Sequence, residues 1–283
     1  MKKKLCAAVL ALSLACPSFH AQNLVNETPE QKDKRMEWFH KAKLGIFIHW
    51  GIYAVKGVSE SWSFYNKYLP HDEYLKQCEG FTASKYDPKA WVELIKESGA
   101  QYTVLTTKHH DGVALWDTKQ NGISVVKNTP AKRDLVTPFV NEVRKAGLRL
   151  GLYYSLPDWS HPDYPNMTRT DVRYKDDPKR WDNFCKFNFG QLAELNNTYK
   201  PDLYWFDGDW EMSAETWRAK EIMELLRSNN KNVIVNSRIT GYGDYATPEQ
   251  GVPVVRPEDK YWELCMTMND SWGYQHNDKN YKT

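Results

Sequence analysis

The chain has 283 residues, with 38 Lys and Arg against 36 Asp and Glu and a formal net charge of +2. That near-balance leaves no electrostatic footprint for nucleic acid. Twelve Trp and seventeen Tyr are more aromatic surface than a core readily absorbs, so several are expected to line a cleft.

Lys2–Lys4, the apolar run Leu5–Ala15, Pro17 and a polar stretch to Gln22 predict a secretory signal peptide over residues 1–22. The run is too short for a membrane span, and cleavage after Ala21 would export the protein to the periplasm or beyond. The alternative is a lipid anchor at Cys16, against which Ser13 stands as a poor residue three positions before it. Residues 1–22 hold three lysines and no acids, so 35 basic and 36 acidic residues remain, a net charge near −1. Cys78, Cys185 and Cys265 also remain, odd in number and widely spaced, which reads as buried thiols. No later segment is long enough to span a membrane, and one domain over 23–283 is the natural reading of the length.

Strands and helices then alternate. Strands are predicted at 44–49, 102–107, 148–154, 202–206, 232–236 and 261–268. Helices are predicted at 87–98, opened by Asp87-Pro88, and at 134–146, 178–197 and 214–229. Such alternation argues a parallel sheet, and a polar cluster follows the end of nearly every strand: His49-Trp50, Lys108-His-His-Asp111, Tyr154-Ser155, Asp207-Gly-Asp209 and Asn236-Ser-Arg238. In a (β/α)8 barrel that end carries the active site. About six strands precede the end of the chain, so the barrel is expected to be incomplete.

The densest cluster is Trp205-Phe-Asp-Gly-Asp-Trp210. Alternation puts Trp205 and Asp207 on one face and Phe206 on the other. A carboxylate facing inward is costly unless chemistry or a partner justifies it. Aromatic faces beside carboxylates suit a sugar, which offers apolar C–H faces and an acetal. The competing reading is a cap, Asp207 or Asp209, for the helix near Ser213. His109 and His110 with Asp111 suggest a metal at first sight, but neighbours on an extended strand point to opposite faces, so hydroxyl recognition is expected instead. His49 and Trp50 read as a hydroxyl donor and a floor, Glu60–Tyr65 as an aromatic wall or a surface loop. Arg238 reads as a partner for a carboxylate, and Glu249 and Glu263 as candidates for a second acid.

The motifs Gly45-Ile-Phe-Ile-His-Trp-Gly51, Lys108-His-His-Asp-Gly112, Gly151-Leu-Tyr-Tyr-Ser155, Trp205-Phe-Asp-Gly-Asp-Trp210, Asn236-Ser-Arg238, Thr247-Pro-Glu249 and Ser271-Trp-Gly-Tyr274 occur in the order seen in family 29 α-L-fucosidases. From about Trp38 onward the chain resembles that family in its secreted bacterial form. The resemblance implies an α/β fold, a (β/α)8-type TIM barrel, here truncated before its closing units and the usual C-terminal β-sandwich. It implies a retaining hydrolase acting on fucosylated oligosaccharides or glycoconjugates, with no metal and no cofactor. Asp207 would be the nucleophile, and His49, His109, His110, Tyr154, Trp205 and Arg238 would contact the fucose. Trp62 matches a wall tryptophan, although the acid that often precedes it is Ser61 here. Glu249, 42 residues after Asp207, matches the commoner placement of the acid/base, with Glu263 the alternative. Thr247-Pro-Glu-Gln250 is similar to the subgroup that prefers α-1,3/1,4 linkages. A fucose-binding remnant without turnover is the rival reading.

Overall fold

The computed structural model describes residues 27–282, so the expected signal peptide over 1–22, with Cys16, lies outside the described residues. Five parallel strands form one sheet in chain order: β1 (Gly45–Ile48), β2 (Tyr102–Lys108), β3 (Arg149–Ser155), β4 (Leu203–Asp207) and β5 (Ile234–Val235). Helices fill the connections, and they start where the sequence places caps. Asp87 accepts from Ala90 N at 3.1 Å and Asp177 from Arg180 N at 3.1 Å, each as the cap; the helix predicted from Asp134 begins at Val136, with Leu135 at its cap and Asp134 just ahead accepting from Thr137 N at 2.9 Å. The single helix predicted over 214–229 is two, Ala214–Trp217 and Ala219–Asn229, broken at Arg218, whose φ is 55°. Ser213 caps the first of them, so neither Asp207 nor Asp209 serves that purpose.

Strand alternation sorts the apolar residues into two cores. Val104, Tyr153, Leu203 and Trp205 face inward, while Leu105, Leu152, Tyr154, Tyr204 and Phe206 pack against the helices. Sequence reading did not anticipate α1 (Pro29–Ala42), which opens with a capping box of Thr28 and Gln31. Its Met36, Phe39 and Ala42 join the inner core, with Phe39 4.5 Å from Tyr245 and 5.9 Å from Tyr102, ring to ring. Tyr102 begins its strand, so α1 plugs the end of the sheet where the strands start, opposite their C-terminal ends. Arg35 on α1 forms a buried ion pair with Asp244, at 2.8 Å.

After β5 the pairing thins to single parallel bridges, Asn236 to Tyr245, Ala246 to Trp262 and Glu249 to Cys265. The strand predicted over 261–268 is therefore not a regular strand. Four backbone bonds carry its course: Ala246 N to Tyr261 O, Glu263 N to Ala246 O, Cys265 N to Pro248 O and Gln250 N to Cys265 O. A cavity of about 980 Å³ separates Gly45–Phe47 from 261–268. Among the described residues the sheet is thus an arc of a (β/α)8-type barrel that does not close on itself. No helix among them is long and apolar enough to cross a membrane.

Candidate active site

β4 delivers Asp207 to the end of the sheet, level with Ser155, and Trp205 level with Tyr153. Gly208 then turns the chain at a φ of 82°, where a Cβ would lie 2.4 Å from Pro157, so a side chain is excluded twice over. Asp207 is 8 % exposed. Its Oδ1 accepts from Arg238 Nη1 at 2.7 Å, its Oδ2 accepts from the Tyr153 hydroxyl at 2.9 Å, and His110 Nε2 lies 3.3 Å from Oδ2. Burial alone would raise this carboxyl. His110 and the Arg238 guanidinium outweigh it and hold Asp207 well below the usual carboxylate range. The result is an ionised, dehydrated carboxylate, fixed at both oxygens.

The two adjacent histidines do not point to opposite faces. β2 ends at Lys108, its register shifts between Thr106 and Lys108, and the chain turns, so both imidazoles reach the same site with centroids 4.4 Å apart. Ser61 Oγ holds His109 Nδ1 at 2.7 Å. Ser155 gives its hydrogen to Pro157 O, at 2.6 Å, and so accepts from His110 Nδ1, which orients the other nitrogen toward Asp207. His49, gripped at Nδ1 by Tyr53 at 2.8 Å, lies 5.0 Å from His109, ring to ring. Burial pushes His49 down to about 3 and His109 well below its ordinary value, so both stay neutral and keep a donor or acceptor for a hydroxyl.

Tyr154, expected in the site, is fully buried on the other side of β3. Its hydroxyl reaches Asn188 at 2.6 Å and receives from Lys108 Nζ at 3.0 Å, behind the sheet. Tyr153 takes the place on Asp207. The same alternation that put Trp205 and Asp207 inward would have identified it. Trp50 likewise leaves the site and packs with Phe81, Tyr86 and Trp91 among the helices.

Aromatic side chains wall the mouth. Trp62 meets Trp159 edge-on at 5.0 Å and His110 at 5.7 Å, so the loop 60–65 is a wall and not a detached surface loop. Trp272, 6.2 Å from His49, closes the opposite side. Its segment is anchored by Gly273 N, which donates to the buried carboxylate of Glu60 at 2.5 Å. Sequence reading placed Trp272 in a motif without giving it a role, and missed Tyr153 and Trp159.

The two candidate second acids sit in different surroundings. Arg238 lies over the Trp205 ring, 4.5 Å from its centroid, and its Nη2 binds Glu249 while its Nη1 binds Asp207. Glu249 is 38 % exposed at its side chain. Glu263 accepts from Tyr102 at 2.6 Å and from Trp205 Nε1 at 2.8 Å, and burial raises its carboxyl. Tyr102 begins β2 at the far end of the sheet, so Glu263 lies beneath Trp205, tied into the interior.

One atom each of His109, His110 and Asp207 lie within 4.8 Å of one another, a set with the composition of a metal site. Its carboxylate, however, already holds a guanidinium, whose charge opposes a second cation at the same oxygens.

A family model described as alpha-L-fucosidase matches residues 12–283. The chain is 34 % identical over 269 residues to tissue alpha-L-fucosidase of Mus musculus, a match covering 84 % of this chain and 57 % of that protein. It superposes on alpha-L-fucosidase isoenzyme 1 from Paenibacillus thiaminolyticus with a TM-score of 0.82 at 37 % identity, covering 89 % of this chain and 65 % of that one. It also superposes on a GH29 alpha-L-fucosidase from Bacteroides thetaiotaomicron, solved as a trapped covalent intermediate with 2-fluoro-fucosyl fluoride. There the TM-score is 0.78 at 31 % identity, covering 92 % and 65 %. The chain therefore spans a little over half the length of the curated relative and 65 % of each solved chain.

Proposed function

Because the chain belongs to the alpha-L-fucosidase family, we propose that it is a retaining exo-glycosidase that hydrolyses terminal α-L-fucosyl linkages by double displacement. The observation that carries this reading is the single guanidinium of Arg238 shared by Asp207 and Glu249. Two carboxylates gripped by one guanidinium are close together. Retaining enzymes hold theirs about 5–5.5 Å apart, and inverting ones about 6.5–9.5 Å. The covalent intermediate trapped in the Bacteroides thetaiotaomicron neighbour supports the same course.

In this mechanism Asp207 attacks the anomeric carbon while Glu249, protonated from solvent and released from Arg238, gives its proton to the leaving oxygen. The glycosidic bond breaks and a β-linked fucosyl ester forms. Glu249, now ionised, takes a proton from water as that water displaces Asp207, and α-L-fucose leaves. Arg238 keeps Asp207 ionised before it attacks and receives the carboxylate again when the ester is hydrolysed. His49, His109 and His110 bind the sugar hydroxyls, and Trp205, Trp62 and Trp272 receive its apolar faces and methyl group. The test is hydrolysis of 4-nitrophenyl α-L-fucoside followed by proton NMR. The α anomer of fucose appears first if the reading holds; the β anomer first would make the enzyme inverting. Fucose binding without release would leave a binding protein.

The finer readings rest on sequence. Thr247-Pro-Glu-Gln250 supports a preference for α-1,3/1,4 linkages, and Gln250 ties the Glu249 loop to Cys265 O through its backbone N, at 2.8 Å. Competition between branched α-1,3/1,4 and linear α-1,2 fucosyl oligosaccharides decides it. Lys2–Lys4 and Leu5–Ala15 support export outside the cytoplasm, and the mass of the mature N-terminus distinguishes cleavage after Ala21 from acylation at Cys16.

A further inference from the structure

Lys108 is left over by this mechanism, and it sits where a charge is hard to keep. It ends β2, directly before His109 and His110, and is fully buried. An ammonium in such surroundings is costly unless it is paired. Its Nζ donates to the Tyr154 hydroxyl at 3.0 Å and lies 4.2 Å from the Tyr154 ring centroid and 5.4 Å from that of Phe187. Its charge is answered by Asp158, 3.9 Å away and itself buried, and by Asp111. Burial pushes Lys108 down to about 8, and the two acids work against that fall, so the side chain is charged at neutral pH.

The two acids belong to different turns behind the site. Asp158 builds the turn after β3: its Oδ1 accepts from Ser160 N at 3.1 Å and His161 N at 2.8 Å, which leaves Oδ2 toward Lys108. Asp111 belongs to the histidine turn and accepts from Val113 N at 3.0 Å and from the Tyr74 hydroxyl at 2.6 Å. The turns press together. A Cβ on Gly112 would lie 2.2 Å from Asp158 Oδ1, and Trp159 N donates to His110 O at 2.8 Å. That contact sets the Trp159 ring 4.5 Å from His110, so a shift of either turn moves both rings.

We propose that Lys108 is a positioning residue: its ion pair with Asp158 clamps the turn of His109 and His110 against the turn of Trp159, and so fixes where the fucose hydroxyls are met. The proposal rests on the fucosidase reading and deepens it, since it assigns sugar affinity to a charge pair that does not touch the sugar. Tyr154 supports the ammonium but carries no part of the clamp.

The test measures fucose affinity by calorimetry beside the melting midpoint. Lys108→Met keeps the length of the side chain and removes its charge. Asp158→Asn keeps the acceptor for Ser160 and His161 and removes the opposite charge. Each should weaken fucose binding about 10-fold or more, because misplaced contacts lose their worth steeply. The double variant should lose no more than the worse single one, since the pair acts as a unit. Tyr154→Phe should leave affinity unchanged. A lysine that only stabilises the fold would lower the melting midpoint and leave the affinity of the folded protein intact, which overturns the proposal. So does an equal loss of affinity in Tyr154→Phe. A double variant that recovers binding overturns it too, for then a stranded carboxylate was at fault and not a lost clamp. Where Lys108→Met does not fold, Asp158→Asn alone decides. The fucosidase reading fails separately, if the unmodified protein neither hydrolyses 4-nitrophenyl α-L-fucoside nor binds fucose. Placement is then read without sugar: the imidazole nitrogen resonances of His109 and His110 should move or broaden in Asp158→Asn. Unmoved resonances overturn the clamp.

Discussion

The arc from β2 to β4 and the arc from β5 to residue 265 contribute to the same site by different means. β2 and β3 have seven residues each and pair along most of their length; β5 has two, and beyond it only single bridges remain. The regular arc carries Asp207, Tyr153, His109 and His110, each fixed by a partner at 3.3 Å or less. The irregular arc carries Arg238 and Glu249. In the proposed mechanism the groups that must meet an anomeric carbon at one geometry are carried on a full ladder or just beyond its end. In the proposed mechanism Glu249 must leave a guanidinium, meet solvent and return, and it is mounted on a loop outside the regular strands.

Removing the group that the regular arc exists to hold should have the largest effect. Asp207→Ala should lower kcat on the order of 10⁴-fold or more while leaving a folded protein, checked by kinetics beside circular dichroism. On the irregular arc the effect should depend on the substrate. Glu249→Ala should cost about 10²–10⁴-fold on a fucosyl disaccharide and far less on an activated aryl fucoside. Glu263→Gln should stay within about tenfold on both, since Tyr102 can turn to accept from an amide. The reverse pattern would move the acid/base to Glu263.

Within β3 the comparison sharpens to two adjacent tyrosines. Tyr153→Phe removes a bond to an ionised carboxylate and should cost about 1.5–3 kcal/mol in kcat/KM with little change in melting. Tyr154→Phe should do the opposite. It leaves the buried Lys108 without its hydroxyl, costing about 1–3 kcal/mol of stability but little activity. Equal effects would blur the two faces of the strand.

Acid should test the histidines. His49 is held near 3 in the folded state against 6.5 in the unfolded chain. The unfolded state therefore binds the extra proton, and stability falls as pH drops through the window from about 6.5 to about 3. The slope is up to about 1.4 kcal/mol per pH unit. Replacing His49 by Gln should flatten a plot of unfolding free energy against pH in that window. The smallest expected effect is that of a strong chelator, which should leave activity unchanged; stoichiometric zinc in the purified protein would contradict this.

Much of this was legible in the sequence where one rule governs one element. Alternation in β4 placed Trp205 and Asp207 inward, and Asp87-Pro88 marked a helix start. The failures come from carrying a rule past its range. His109 and His110 were read as strand neighbours, but β2 stops one residue before them. Tyr154 was taken from a motif when the alternation of its own strand pointed to Tyr153. Tyr261–Met268 has the composition of a strand yet forms only bridges, because register is set by a partner and not by propensity. The anchoring of His109 by Ser61 and of Trp272 through Glu60 joins residues far apart in the chain, where no local pattern reports contact.

The central claim is that Asp207 is the nucleophile of a retaining reaction, and one product identifies it. Asp207→Gly protein incubated with 4-nitrophenyl α-L-fucoside and azide should yield β-L-fucosyl azide, because the small anion occupies the space of the missing carboxylate and attacks from its side. The α-azide, or hydrolysis at the unmodified rate without azide, would contradict the assignment.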